Sequence, residues 1–290
     1  MSSLAFFLIV VSAVMHALWN LLVKQSRHKT VFIWWMFVSS GTLFSLVLPL
    51  VPGPAPVPDG RILLLGLAGA ACFVLYHLLN GRAYRSGDLS MVYPLSQTAM
   101  VYVPLWGVFI LGERISLVGC GGILLVLAGA YSVQLHRLSL GELLRPFRNL
   151  RSQSVRAALG AGFVYSLGAI VDKTGVKYYS PLYFTYILVI FMLGMMTLNL
   201  LRSRYRRQIM SEWRENRWLI IASGPVMMGS FLTFRYGLKL SPMSYAVPVR
   251  QVSIMVGVLI GVLFLNEPCG RVRFLAAMLI LAGAALIRFG

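Results

Sequence analysis

Charge is what this sequence has least of. Of its 290 residues only 12% are charged and eight are acidic, against 58% hydrophobic. A water-soluble domain carries about 25% charged residues, so most of this surface must meet something other than water. Cysteine is almost absent too. Cys72, Cys120 and Cys269 have no paired spacing, which argues against a disulfide framework or a zinc site. Each reads as an inert thiol buried in or beside an apolar helix. The four histidines, His16, His28, His77 and His136, are scattered, and no HExxH, GxSxG or GxxxxGK[ST] motif occurs. A metallohydrolase, a serine hydrolase and an ATP-driven pump are therefore not expected, nor is any cofactor. The first apolar run has no basic n-region and no A-x-A-like site, so it reads as a retained helix rather than a cleaved signal.

What fills the chain is apolar runs of about 20 residues, each long enough to cross roughly 30 Å of hydrocarbon as a helix. Ten are expected: 3–23, 31–51, 62–81, 89–111, 115–135, 156–172, 181–201, 217–238, 243–265 and 271–289. The alternating pattern of barrel strands is missing. The expected fold class is an all-α polytopic membrane protein, multi-pass in the plasma membrane. The net charge of +18 does not point to nucleic acid, because the basic residues cluster in loops without a nucleic-acid motif. There they orient the chain and meet anionic lipid headgroups. Eighteen of the 26 Lys and Arg fall in the odd-numbered loops, which by the positive-inside rule places those loops in the cytoplasm and both termini outside.

The chain repeats itself. Sliding residues 90–130 onto 244–284 gives 14 identities in 41 positions without a gap. Among them are Ser90 with Ser244, Pro94 with Pro248, Gln97 with Gln251, and Glu113 with Glu267. A weaker match sets 16–24 on 165–173. Each half then holds five helices, and an odd number of spans per half turns the halves upside down relative to each other. The expected organisation is a first repeat over 1–136, a basic interfacial linker over 137–155 and a second repeat over 156–290. Ten helices in two inverted five-helix repeats is a secondary-transporter arrangement, with substrate near the midplane.

These elements resemble a family. Residues 84–133 and 238–287 each hold a small-residue turn, a proline in the fourth helix, a Gly-Glu or Asn-Glu helix end, and a closing helix finishing in Ala-Gly. Both are similar to the EamA repeat of the drug/metabolite transporter superfamily. The opening helix, with Ser12, His16, Trp19, Asn20 and Lys24, resembles a subgroup associated with phosphonate utilisation. The resemblance implies transport of metabolites with proton or exchange coupling, and for many members both termini inside, opposite to the charge count.

The candidate site follows from which polar groups sit at membrane depth, where a charge costs about 2.5–3.5 kcal/mol and marks function by default. Arg250 lies two residues after Pro248 in the ninth run; a proline-loosened helix with an arginine suits a phosphonate, phosphate or carboxylate. The alternative is an arginine that snorkels or ties two helices together. Arg235 is a second candidate, unless its place near a helix end lets it reach the interface. His16 is the candidate proton carrier, with Asn20 one turn later and Trp19 beside them lining a cavity. Gln97, Gln251 and Tyr93 complete the candidate substrate site, and Pro94 and Pro248 the helix breaks. Lys24 and Lys173 flank an anion path or mark the membrane boundary. All eight acidic residues are expected in loops or at helix ends, with Glu113 and Glu267 capping helix junctions. Members of the superfamily that export lipophilic cations use a membrane glutamate, and none is found here. The expected activity is secondary transport of a small anionic or zwitterionic metabolite, by a monomer or homodimer among membrane lipids. The alternatives are a lipid-linked metabolite flippase, a multidrug exporter and, behind these, a membrane-embedded enzyme.

Overall fold

The apolar runs fold into helices whose ends are set by short polar side chains. In a computed structural model, which describes residues 1–86, 95–133, 135, 139, 141, 144, 152–201, 205–265 and 270–290, no strand occurs among the described residues. The helices are α1 (Ser3–Gln25), α2 (Lys29–Val47), α3 (Gly60–Ser86), α4 (Ala99–Phe109), α5 (Leu117–Ser132) and α6 (Gln153–Tyr178). They continue with α7 (Pro181–Leu201), α8 (Arg206–Lys239), α9 (Met243–Arg250), α10 (Val252–Leu265) and α11 (Arg271–Phe289). Among the described residues, eight stretches are long and apolar enough to span a membrane, α9 and α10 counting as one; α4 and α5 are shorter apolar helices. Ser2, Ser116 and Ser152 start α1, α5 and α6 by accepting a backbone N–H three residues on, as N-caps do. Asp59 does the same for Ile62.

Two boundaries depart from the apolar runs. The sixth run was expected to stop at 172, but α6 continues to Tyr178. Asp172 is therefore inside a helix, contrary to the expectation that every acidic residue lies in a loop or at a helix end. The eighth run begins after a kink at Asn216, where φ is −124° and ψ 19°, and α8 has already started at Arg206. Glu212, expected in a loop, is fully buried there and accepts the His28 N–H at 2.8 Å and the Asn216 amide at 2.7 Å. It thus serves one of the unpaired donors at the start of α2. The reading of all three cysteines as buried also fails: Cys120 points outward and Cys72 is half-buried, while Cys269 lies outside the described residues. Most of the 137–155 linker, with Pro94, Tyr93 and Glu267, also lies outside them.

Helices approach closely where small residues face each other, as bilayer helices do. α5 crosses α11 with Gly122 on Gly283 and Gly129 on Ala276. A Cβ added at Gly283 would lie 2.5 Å from the Gly122 carbonyl, and one at Gly129 would lie 2.6 Å from that of Ala276. α3 packs along α6 and α7, and α8 along α1 and α2. Ser12 and Ser230 exchange hydrogen bonds, each hydroxyl donating to the other's carbonyl, at 2.8 and 3.2 Å.

Candidate functional site

The ninth apolar run is interrupted three residues after Pro248. Pro248 brings no N–H to the helix, and the chain recloses one turn later through the Gln251 N–H, which donates to the Pro248 carbonyl at 2.9 Å. α9 ends at Arg250 and α10 resumes at Val252. The fourth apolar run has a similar interruption at the position that aligns with it in sequence. Thr98 donates to the Leu95 carbonyl at 3.2 Å and Met100 to that of Gln97 at 3.0 Å before α4 proceeds. Gln97 and Gln251, matched in sequence, thus sit at two matched breaks.

Both breaks open onto a cavity of about 580 Å³, within the range of small-molecule sites. Of the expected site residues, Arg250, Gln251, Gln97, Trp19, Asn20, Arg235 and His16 all line it. Pro248 is buried in α9 behind the wall.

Arg250 makes no hydrogen bond to a carboxylate among the described residues. Its guanidinium lies 4.2 Å from the centre of the Phe234 ring, a cation–π contact. One Nη2 approaches the His16 Nδ1 at 3.4 Å, and Nε has no partner. Tyr165 interacts with it from α6. The Trp19 indole N–H donates to the same His16 Nδ1 at 2.8 Å. An indole nitrogen only donates, so Nδ1 must be an acceptor and the imidazole is neutral, with its proton on Nε2. As drawn, His16 takes a proton only if Trp19 and Arg250 move away.

Arg235 does not reach the interface. It is 4% exposed, and its Nη2 donates to both oxygens of Asp172 at 3.1 Å. Its Nε is unpartnered, and the guanidinium lies 5.2 Å from the centre of the Phe231 ring. Asp172 faces the cavity. The sequence reading missed it because Asp172-Lys173 looked like a membrane boundary. Also missed were Tyr165, Phe73 and Tyr76, which carry no signal that separates them from packing aromatics. Ser96 was missed although it aligns with Arg250 at the repeat offset; it lines the cavity too. His77 and Asn80 line it from α3, and the Asn80 side-chain oxygen is buried without a partner.

Beyond Asp172 one end of the bundle is tied shut. Lys173 donates to the carbonyls of Leu238 and Ser241 at 2.8 and 2.7 Å. It caps the end of α8 rather than flanking a path. Glu113 accepts the N–H groups of Met243 and Ser244 at 2.6 and 2.9 Å and the Ser244 hydroxyl at 2.6 Å, starting α9 as the expected junction cap. Gly112, at φ 67°, turns the chain to place it. Tyr245 accepts the Ser116 N–H at 2.9 Å. Arg288 donates to the Met1 carbonyl at 2.7 Å. Tyr179 donates to the Pro56 carbonyl at 2.5 Å; burial, then Tyr183 and Asp59, push its phenol above the ordinary value and keep it a donor. From this floor the lining runs toward Asn20, Asn80, Val133 and Arg273, at the opposite helix ends. Among the described residues no group of three or more His, Cys, Asp or Glu is placed to hold a metal ion.

Comparison with known proteins bears on this arrangement. A Sinorhizobium protein described as an uncharacterized transporter in the cobO 3' region is 35% identical over 77 residues, 27% of this chain. The chain spans about half of that relative's length, 54%. A crystal structure described only as that of a protein superposes with a TM-score of 0.75 at 15% identity, over 99% of this chain and 96% of the other. That likeness shows a shared fold. The model of the EamA-like transporter family matches residues 3–134 and again 154–289. The chain is a multi-pass membrane protein of the EamA-like transporter family.

Proposed function

We propose that this protein is a secondary active transporter that carries a small anionic or zwitterionic metabolite across the plasma membrane by alternating access, with Arg250 holding the acid group. The observation that carries this is the state of Arg250, a half-buried cation with a buried, unpartnered Nε, beside a broken helix and facing a cavity, with no carboxylate hydrogen-bonded to it among the described residues. Leaving a charge so poorly paired is costly, and it fits a protein whose missing partner is the cargo.

The ten-span, inverted-repeat organisation over 1–136 and 156–290 is part of the same reading, and three features support it. The family model matches each half separately. The α5–α11 crossing pairs Gly122 with Gly283 and Gly129 with Ala276; adding 154 to 122 and to 129 gives 276 and 283, so the two contacts exchange under the repeat offset. Likewise α3 packs on the first two helices of the second half, and α8 on the first two of the first half. A two-fold axis in the membrane plane gives this pattern, and transporter sites lie on such axes.

Alternating access is supported by the unequal ends of the cavity. One end is closed by Glu113, Lys173, Tyr179 and Arg288. The lining extends to the other, which carries the odd-numbered loops. By the charge count that mouth faces the cytoplasm and both termini face out. The test is uptake into liposomes holding the purified protein. Wild type moves a small acid or amino acid, and R250A moves none while eluting as a folded protein. Normal uptake by R250A would remove Arg250 from the site.

A further inference from the structure

We infer that the cavity holds a second subsite, for a cation, at Asp172, and that the cargo is a zwitterion: its acid group on Arg250 and its ammonium, primary or methylated, on Asp172 inside an aromatic wall. This rests on reading the same cavity as a transport site.

Asp172 is the carboxylate that faces the cavity among the described residues. Its side chain is 18% exposed, and its ion pair uses a single nitrogen of Arg235, shared between both oxygens. A carboxylate offers about four acceptor positions, so Arg235 orients the group without saturating it. Asp172 lies seven residues after Tyr165, two turns along one face of α6. Gly168 and Ala169 between them leave that face low; a Cβ at Gly168 would come within 3.3 Å of Cys72.

Around this face the rings form a continuous wall. Tyr165 packs on Tyr76 at 5.5 Å and Tyr76 on His77 at 5.2 Å. Phe73 packs on His77 at 4.3 Å and on Phe231 at 6.2 Å. Phe73, Tyr76, Tyr165 and Phe231 all line the cavity. Aromatic faces beside a carboxylate are what an ammonium selects. The rings of α8 already face cations, Phe231 under Arg235 and Phe234 under Arg250. The two ends lie close together, because consecutive residues of α8 connect them: Phe234 supports Arg250 and Arg235 reaches Asp172. A pure anion would satisfy Arg250 and meet the Asp172 charge. A pure cation would satisfy Asp172 and meet Arg250. A zwitterion satisfies both.

The test needs only purified wild-type protein and matched compounds. Dissociation constants come from thermal-shift titration with 4-aminobutyrate, butyrate and butylamine; with 2-aminoethylphosphonate, ethylphosphonate and ethylamine; and with glycine betaine, acetate and tetramethylammonium. In at least one set the zwitterion should bind about tenfold or more tightly than either of its partners. D172N, verified as folded by size-exclusion chromatography, should erase that margin by weakening the zwitterion relative to the acid, while the acid binds more tightly than to wild type because the opposing charge is gone and Arg235 is freed. If D172N does not fold, the wild-type comparison alone decides. If no set shows that margin, whether because the acid binds as tightly as its zwitterion, because the amine binds best or because nothing in the panel binds, the inference is overturned. Uptake separates it from the transport reading. A bare acid carried as well as its zwitterion removes the ammonium subsite and keeps transport. A zwitterion bound at Asp172 but never carried removes transport and keeps the subsite.

Discussion

Replacing Arg250 by methionine separates a residue kept for cargo from one kept for folding. In the empty protein Arg250 has one contact to His16 at 3.4 Å, one to the Phe234 ring at 4.2 Å, an interaction with Tyr165, and a buried Nε with no partner. A buried donor left unpaired costs about 1–3 kcal/mol. The cation–π contact returns about 0.5–2 kcal/mol. The two nearly cancel, and the cost of desolvating the charge offsets the Tyr165 contact, so the arginine adds little to the stability of the empty protein. Methionine fills the space with a flexible apolar chain, and R250M is expected to unfold at or slightly above the wild-type temperature. Binding should respond the other way. A hydrogen bond to a charged group is worth about 1.5–3 kcal/mol. Losing two to an acid group weakens binding by roughly a hundredfold or more, at 1.4 kcal/mol per factor of ten. The assay is intrinsic-fluorescence melting in detergent alongside uptake in liposomes. R250M that melts well below wild type yet still transports would show a structural arginine and refute the reasoning.

The closed end and the helix crossing give further tests. E113A strips three hydrogen bonds from the start of α9 and should cost about 2–4 kcal/mol in stability; melting unchanged from wild type would mean that Glu113 caps nothing. K173M leaves the carbonyls of Leu238 and Ser241 without their donor and should cost about 1–3 kcal/mol, again read by melting, with wild-type stability counting against the cap. G283L forces a side chain onto the Gly122 backbone, and G129L does so onto that of Ala276. Each should destabilise by about 1–3 kcal/mol or more. Because the repeat offset exchanges the two contacts, the penalties should be similar, and a large difference would reject the internal two-fold.

How much of this was legible in the sequence depends on the kind of signal each residue leaves. Gln97 and Gln251 were found because a sequence repeat that keeps a polar residue in two apolar runs is hard to explain by hydrophobicity alone, and both stand at helix breaks in the cavity wall. Arg250 was found because an isolated charge deep in an apolar run has no cheap explanation. Asp172 failed for a related reason. Next to Lys173 it mimics the charged end of a span, and a window along the chain cannot see that each has its own partner on α8 or just beyond its end: Arg235 for one, the Leu238 and Ser241 carbonyls for the other. Once those partners are known, six more residues join α6 and the acidic residue moves from the boundary into the site. The aromatic wall was illegible for a different reason. Phe73, Tyr76 and Phe231 are common in any membrane helix, and their meaning comes from lining, from α3 and α8, the cavity that Asp172 also faces. Pairing across the bundle turns a charge that reads as an edge into one that reads as a site, and hydropathy along a single chain has no access to that pairing.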